Sequence, residues 1–480
     1  MPPPQSMHQP QAATLPEVDP RTRRLLEAPL ASLLLRMAAP NVLIMVAQAC
    51  AGLIETWFIG RLGTDALAGM ALVFPIVMLM QMTSGGAMGG GIASAVARAL
   101  GQRDRALAES LAWAGVLIGL AFGVFFTGAL WWGGKALYGA MGGQGASLAA
   151  ALTYSHTVFA GAVLIWLFNS LAAVVRGTGN MAVPAKVVTV GTVLLIPVSP
   201  VLIFGWGPVP ALGIAGGALA LVLYYAGGTL ALWLYLRSGA SLLRLTRAGL
   251  QLRGALFTGI LRVGLLGAVS TVATNLTIGI ATGLTGHFGP AAIAGYGTAS
   301  RLEYLLVPLV FGLGAPLVTI VGTCMGAGHV ERALRATWIG AAVAFALTES
   351  IGLAAALFPT AWLGLFGQDP AMLAAGAQYL RIVGPVYGFF GLGLALYFAS
   401  QGAGRLAWPV AGNVARLAVA GIGGWWAVQA GAGLAMVFAA QAAALVVYGT
   451  LNASAIAGGA WFGRIGRPRS AAEWLRRRSV

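Results

Sequence analysis

Five residues from the first half of this chain return in the second half at one constant spacing. Gly101, Trp113, Gly177, Gly179 and Pro184 recur 225 residues later as Gly326, Trp338, Gly402, Gly404 and Pro409. The string Gly-Thr-Gly at 177–179 likewise returns as Gly-Ala-Gly at 402–404. Glycine and proline each impose a backbone requirement that other residues do not. A shared register of them therefore predicts two copies of one structural unit. A membrane unit with an even number of helices gives both copies the same orientation, related by an axis along the membrane normal. Paired lobes of that kind are the usual machinery of alternating access around a central site.

The composition makes the unit a membrane one. Of 480 residues, 59% are hydrophobic and 8% charged, where a soluble domain carries roughly 25% charged residues. Runs of about 20 apolar residues predict twelve spans, near 36–60, 69–97, 107–131, 148–174, 182–205, 210–236, 256–285, 291–323, 334–358, 373–401, 407–428 and 431–461. The expected fold is an all-α integral membrane protein of twelve transmembrane helices in two six-helix lobes. These are an N-lobe at 36–236 and a C-lobe at 256–461, joined by a basic linker at 237–255 and flanked by tails at 1–35 and 462–480.

A net charge of +16 would point to nucleic acid in a soluble protein, but here the charges sort by membrane side. With the N-terminus inside, the inner segments collect Arg98, Arg103, Arg105, Arg176, Lys186, Arg237, Arg244, Arg247, Arg253, Arg332, Arg335 and Arg405. The outer loops hold little beyond Arg61 and Lys135. This is the positive-inside pattern, and it predicts that both termini are cytoplasmic. The basic tail with Trp474 and Arg476 to Arg478 reads as a segment lying on anionic lipid, with no nucleic-acid partner. The polar start lacks the apolar core of a signal peptide. Cys50 and Cys324, both in apolar stretches, suggest neither a disulfide nor a metal site. Abundant Ala and Gly with compact loops point to a bacterial inner membrane, and a monomer is expected.

Glu55 is the only charged side chain between Arg36 and Arg61. A carboxylate there costs about 2.5–3.5 kcal/mol on insertion, which points to an ion pathway, a proton relay or a counter-ion for a cationic substrate. Gln48, two helical turns earlier, lines the same face. Two further acids lie within spans, Glu303 and Glu349, with Arg381 and Arg416 as candidate partners. Pro385 stands beside Tyr387, Phe389 and Phe390, a combination suited to an aromatic pocket for flat cations. The four histidines show no metal spacing, and the glycine runs at 85–86 and 89–91 read as close-packing helix surfaces.

The stretch Pro40 to Pro75 resembles the first span and a half of the multidrug and toxic compound extrusion (MATE) family. The resemblance rests on Pro40, Gln48, Glu55–Thr56, Gly60 to Gly63 and Ala66 to Ala68. It extends to Arg-Gly-Thr-Gly-Asn at 176–180, the segment 210–218 and Tyr-Gly-Thr-Ala-Ser-Arg-Leu-Glu at 296–303. It implies cation-driven export of amphipathic, often cationic, small molecules. Three departures bear on coupling. The usual Asp of the first span is Glu55, and the fifth-span Asn and Asp of one proton-coupled branch fall on Leu195 and Ser199. The seventh and tenth spans lack the acids of the sodium-coupled branch. A proton needs one titratable group where sodium needs several hard oxygens, so the expected coupling ion is the proton, with sodium as the alternative. Glu55, Glu303 and Glu349 are the candidate coupling acids; Gln48, Glu55, Tyr387 and Phe389 are the candidate substrate contacts. No cofactor, metal site or enzymatic activity is expected. The rival function is a lipid-linked precursor flippase of the wider superfamily.

Overall fold

The computed structural model describes residues 19–462, and within them every side chain except those of residues 46, 49–51, 53, 247, 304 and 305. The far N-terminal residues, the Cys50 side chain and the basic C-terminal segment read as lipid-bound lie outside the described residues. The chain opens with a short helix, α1 (Pro20–Glu27). Pro20 sits in its first turn, and Asp19 caps it by accepting from the Arg21 amide at 2.8 Å. Such a start satisfies an amide that the helix itself leaves without a partner.

Twelve helical rods follow. The first lobe holds α2 (Leu30–Gly60), α3 and α4 (Thr64–Gln81 and Gly89–Gly101), α5 (Arg105–Ala140), the pair α6 and α7 (Gly145–Ala160 and Ala162–Gly177), α8 (Ala182–Phe204) and α9 (Ile214–Arg237). The second lobe holds α10 (Gly254–Gly286), α11 (Pro290–Gly326) and α12 (Val330–Leu357). After the short α13 (Pro359–Leu363) come α14 and α15 (Pro370–Val383 and Tyr387–Ala403), α16 (Ala407–Gln429) and α17 (Leu434–Ala457). Among the described residues, nine rods are each long and apolar enough to cross a bilayer; α6 and α7, bent by 47°, make a tenth.

Several rods run past the expected spans, because helices continue beyond the hydrocarbon where polar side chains reach water. α2 starts at Leu30 and carries Arg36 within it, so the expected N-terminal tail is in part helical. α5 runs on from residue 131 to Ala140. Three rods are interrupted. Between α3 and α4, Met82–Met88 forms a π-helical turn, a distortion that loosens backbone hydrogen bonds and favours functional positions. Gly161 separates α6 from α7. Pro385, which lacks an amide proton, sits in the 3-10 turn between α14 and α15. The linker docks on the first lobe: Trp113 Nε1 donates to the Thr246 carbonyl at 2.8 Å, and Glu109 accepts from the Arg244 amide at 3.3 Å.

The lobes meet through repeat-related glycines. A Cβ on Gly101 would strike the backbone of Thr323 and Ala327, and one on Gly326 would strike the backbone of Arg98. The two positions are therefore equivalent halves of one crossing between α4 and α11. Among the described residues, every hydrogen bond between lobes lies in the half of the molecule that carries the chain ends. Arg98 donates to the Gly402 carbonyl at 2.9 Å, and Thr319 to the Arg176 carbonyl at 3.0 Å. Arg332 donates to the Leu25 carbonyl at 3.1–3.2 Å and to the Ala28 carbonyl at 2.5 Å. The last set ties α1 to the second lobe. This conformation is closed on the chain-end side.

Candidate functional site

In the first lobe, α2 carries Gln48 and Glu55 on one face, seven residues apart. Glu55 is 7% exposed, and its Oε1 accepts from the Tyr154 hydroxyl of α6 at 3.0 Å. Among the described residues no Lys, Arg or His pairs with it. The carboxyl thus points into the interior of its own lobe rather than standing at the wall of an open cleft. It does so because the Tyr154 hydroxyl is placed there to donate to it. Nearby, the buried Tyr224 hydroxyl lies beside Gln48 and Thr192, and Tyr225 beside Gln81. A buried carboxyl with a neutral donor and no fixed cation is free to exchange a proton or to face a cationic ligand.

The π-helical turn of the second span lies at the contact between the lobes. Its loosened carbonyls at Gly86 and Ala87 both accept from the Gln401 amide of the second lobe, each at 3.2 Å. Gly90 makes room for that side chain, since any Cβ there would overlap it. Ser84, in the same turn, accepts from the Asn169 amide at 2.8 Å. Sequence reasoning recognised the glycine runs as packing surfaces but missed Gln401. The single Gln of the largely apolar stretch Tyr387–Ala403 was the available signal.

The second lobe builds a different cluster. Glu303 on α11 accepts a short hydrogen bond from the Tyr379 hydroxyl of α14 and a longer one, 3.5 Å, from Tyr387 of α15. Arg416 on α16 approaches its other oxygen at 3.8 Å and stacks over Phe390 and Tyr448. A small cavity beside Glu303 and Arg416 is also lined by Tyr296, Thr277 and Gln441. Glu349 stands apart on α12. Its Oε2 accepts from the Gly388 amide at 2.6 Å, one of the amides that the break at Pro385 leaves without a helical partner.

The candidate substrate contacts are thereby divided. Gln48 and Glu55 share the first lobe. Tyr387 is fully buried and turned to Glu303, while Phe389, two residues on and hence on another helix face, packs edge-on against Phe345 at 5.6 Å. The two side chains thus face different neighbours. Arg381 is exposed, and Arg416 is the cation that reaches Glu303. His156 stacks on Trp131. Among the described residues no three His, Cys, Asp or Glu side chains gather as a metal site.

Known proteins match this arrangement along most of the chain. A protein of Shewanella oneidensis named FAD transporter is 26% identical over 383 residues, covering 78% of this chain and 82% of the relative. A Thermotoga maritima protein named Probable multidrug resistance protein NorM is 24% identical over 387 residues, covering 78% and 81%. The solved structure of a MOP superfamily transporter from Pyrococcus furiosus superposes with a TM-score of 0.83 at 22% identity, covering 91% of this chain and 97% of that one. The sequence model of the MatE family matches twice, over residues 40–201 and 267–426, so each half of the repeat is by itself a copy of the family unit. The chain is a multi-pass membrane protein that belongs to the MatE family.

Proposed function

We propose that this protein is a secondary active efflux transporter that exports amphipathic organic cations by proton antiport and alternating access. The observation that carries the reading is Glu55: a buried carboxyl, bonded to the Tyr154 hydroxyl and, among the described residues, lacking a fixed cation. Proton and cationic substrate would compete for that one group. The crossing at Gly101 and Gly326 closes the chain-end side, which by the charge pattern is the cytoplasmic one; the Ala- and Gly-rich composition favours a bacterial inner membrane. Opening it while the far side closes would complete the cycle. The proton is preferred to sodium because the oxygens of Ser270 and Thr274 in the seventh span are engaged by the Asn413 amide at 2.7–2.9 Å. A hard cation would need such oxygens turned toward itself. Glu303 and Glu349 are the further candidate coupling groups, and Tyr387 and Phe389 remain candidate second-lobe contacts. The protein acts as a monomer without a cofactor. A second reading, export of a flavin dinucleotide, is favoured by the similarity to the Shewanella protein.

The test is efflux from proteoliposomes under an imposed proton or sodium gradient, with ethidium and FAD as alternative cargoes. Ethidium export driven by protons alone, and lost in Glu55→Gln, is the expected result. Drive by sodium would overturn the ion assignment, and export of FAD alone would overturn the cargo.

A further inference from the structure

A groove of about 470 Å³ runs between α8 and α9 on the outside of the first lobe. Its walls include Val190 and Leu194 on one side and Leu223 and Gly227 on the other, and Lys186 lies at one end. The two helices are antiparallel, so Lys186 stands opposite Ala231 and Val198 opposite Ala220. From Lys186 to Val198 the groove extends about 18 Å at the helical rise. One leaflet of hydrocarbon is about 15 Å deep, half the bilayer core. The groove therefore has the length of one lipid tail.

It faces lipid rather than a transport pathway. Val190 is 58% exposed, and none of the lobe–lobe hydrogen bonds among the described residues involves α8 or α9. The groove is also closed toward the lobe interior. The Tyr224 ring forms its floor and turns its hydroxyl inward toward Gln48 and Thr192. Gly191 seats that ring, because a Cβ there would lie 2.7 Å from it. Gly227 has nothing within 4 Å of a built Cβ, so the space at that wall is open.

Among the described residues, the one charged group lining the groove is a cation. Lys186 is exposed and, among the described residues, has no acidic partner. Arg237, in the last turn of α9, adds a second cation on the same membrane side. We propose that this groove is a binding site for one anionic phospholipid of the chain-end leaflet, with an acyl chain between α8 and α9 and the phosphate at Lys186. Charge and length agree on that occupant. An organic cation would be repelled at the mouth, and a free anion would leave the apolar length unfilled.

The experiment is native mass spectrometry of the full chain after reconstitution with equal amounts of phosphatidylglycerol and phosphatidylcholine. Wild type is expected to retain one phosphatidylglycerol in preference, and Lys186→Gln to weaken that preference by about fivefold, the effect of roughly 1 kcal/mol per basic residue near an anionic surface. Gly227→Ile and Val190→Phe fill the groove from opposite walls, and each is expected to lose the retained lipid of either headgroup. Either filler suffices if the other does not yield a monodisperse protein. Equal retention of the two lipids by wild type, or a preference that survives both Lys186→Gln and a groove filler, would overturn the proposal.

Discussion

Tyr154 and Tyr379 stand 225 residues apart in the chain, and each donates its hydroxyl to a carboxyl group of its own lobe, the buried Glu55 in the first and the half-buried Glu303 in the second. The tyrosines are repeat-related; the acids are not. Glu55 lies on the first helix of its lobe and Glu303 on the second helix of its own. Among the described residues, only the second lobe supplies a cation, Arg416. The duplicated scaffold thus holds two polar sites of different chemistry.

Removing the Tyr154 hydroxyl tests the first site. A hydrogen bond to a charged group contributes about 1.5–3 kcal/mol, so Tyr154→Phe is expected to slow proton-driven ethidium efflux by about tenfold while leaving it proton-driven. Glu55→Gln should stop it. Equal rates for wild type and Tyr154→Phe would show that the bond does not position the carboxyl during turnover.

Stability reports on the second site. Arg416 is buried and Glu303 half-buried, and removing one member of such a pair destabilises because the other charge is left behind. Arg416→Leu is therefore expected to lower the unfolding temperature in detergent markedly. Adding Glu303→Gln should restore most of the loss. If the double variant is no more stable than the single one, the ion pair is not the reason for the arginine.

The lobe crossing fixes which side is closed. A side chain at Gly326 overlaps the Arg98 backbone, and overpacking of this kind costs about 1–3 kcal/mol. Gly326→Val should shift the population toward the state open on the chain-end side, as seen by distances between spin labels on the ends of α4 and α11. An unchanged distance distribution would mean that the crossing yields without opening.

Arg332 is a second-lobe cation bonded to the carbonyl end of α1, where cations are favoured. Arg332→Ala is expected to speed hydrogen exchange across residues 20–30 with little effect on the α5 and α7 core. Protection that stays at the wild-type level would place the docking of α1 elsewhere.

Glu349 separates two roles in one position. Gln at 349 can still accept from the Gly388 amide but cannot titrate, whereas Ala can do neither. If Glu349 only anchors the start of α15, Glu349→Gln transports normally and Glu349→Ala loses stability. Loss of proton-driven efflux in Glu349→Gln would make it a coupling group.

The sequence by itself determined the membrane class, the twelve rods and their duplication, since each depends on local hydropathy and on glycines and prolines whose backbone needs are fixed before packing begins. It also exposed Glu55, whose charge is costly anywhere in an apolar span. Only the tertiary structure decided what the acids touch. Tyr154, Tyr379 and Arg416 reach them from helices distant in sequence, and whether a side chain pairs, caps or packs depends on the rotation of each helix about its axis. Apolar composition leaves that rotation open, because a helix that is hydrophobic all round has no face that hydropathy can mark. The same freedom hid Gln401, whose partners are two carbonyls loosened by a π-helical turn more than 300 residues away.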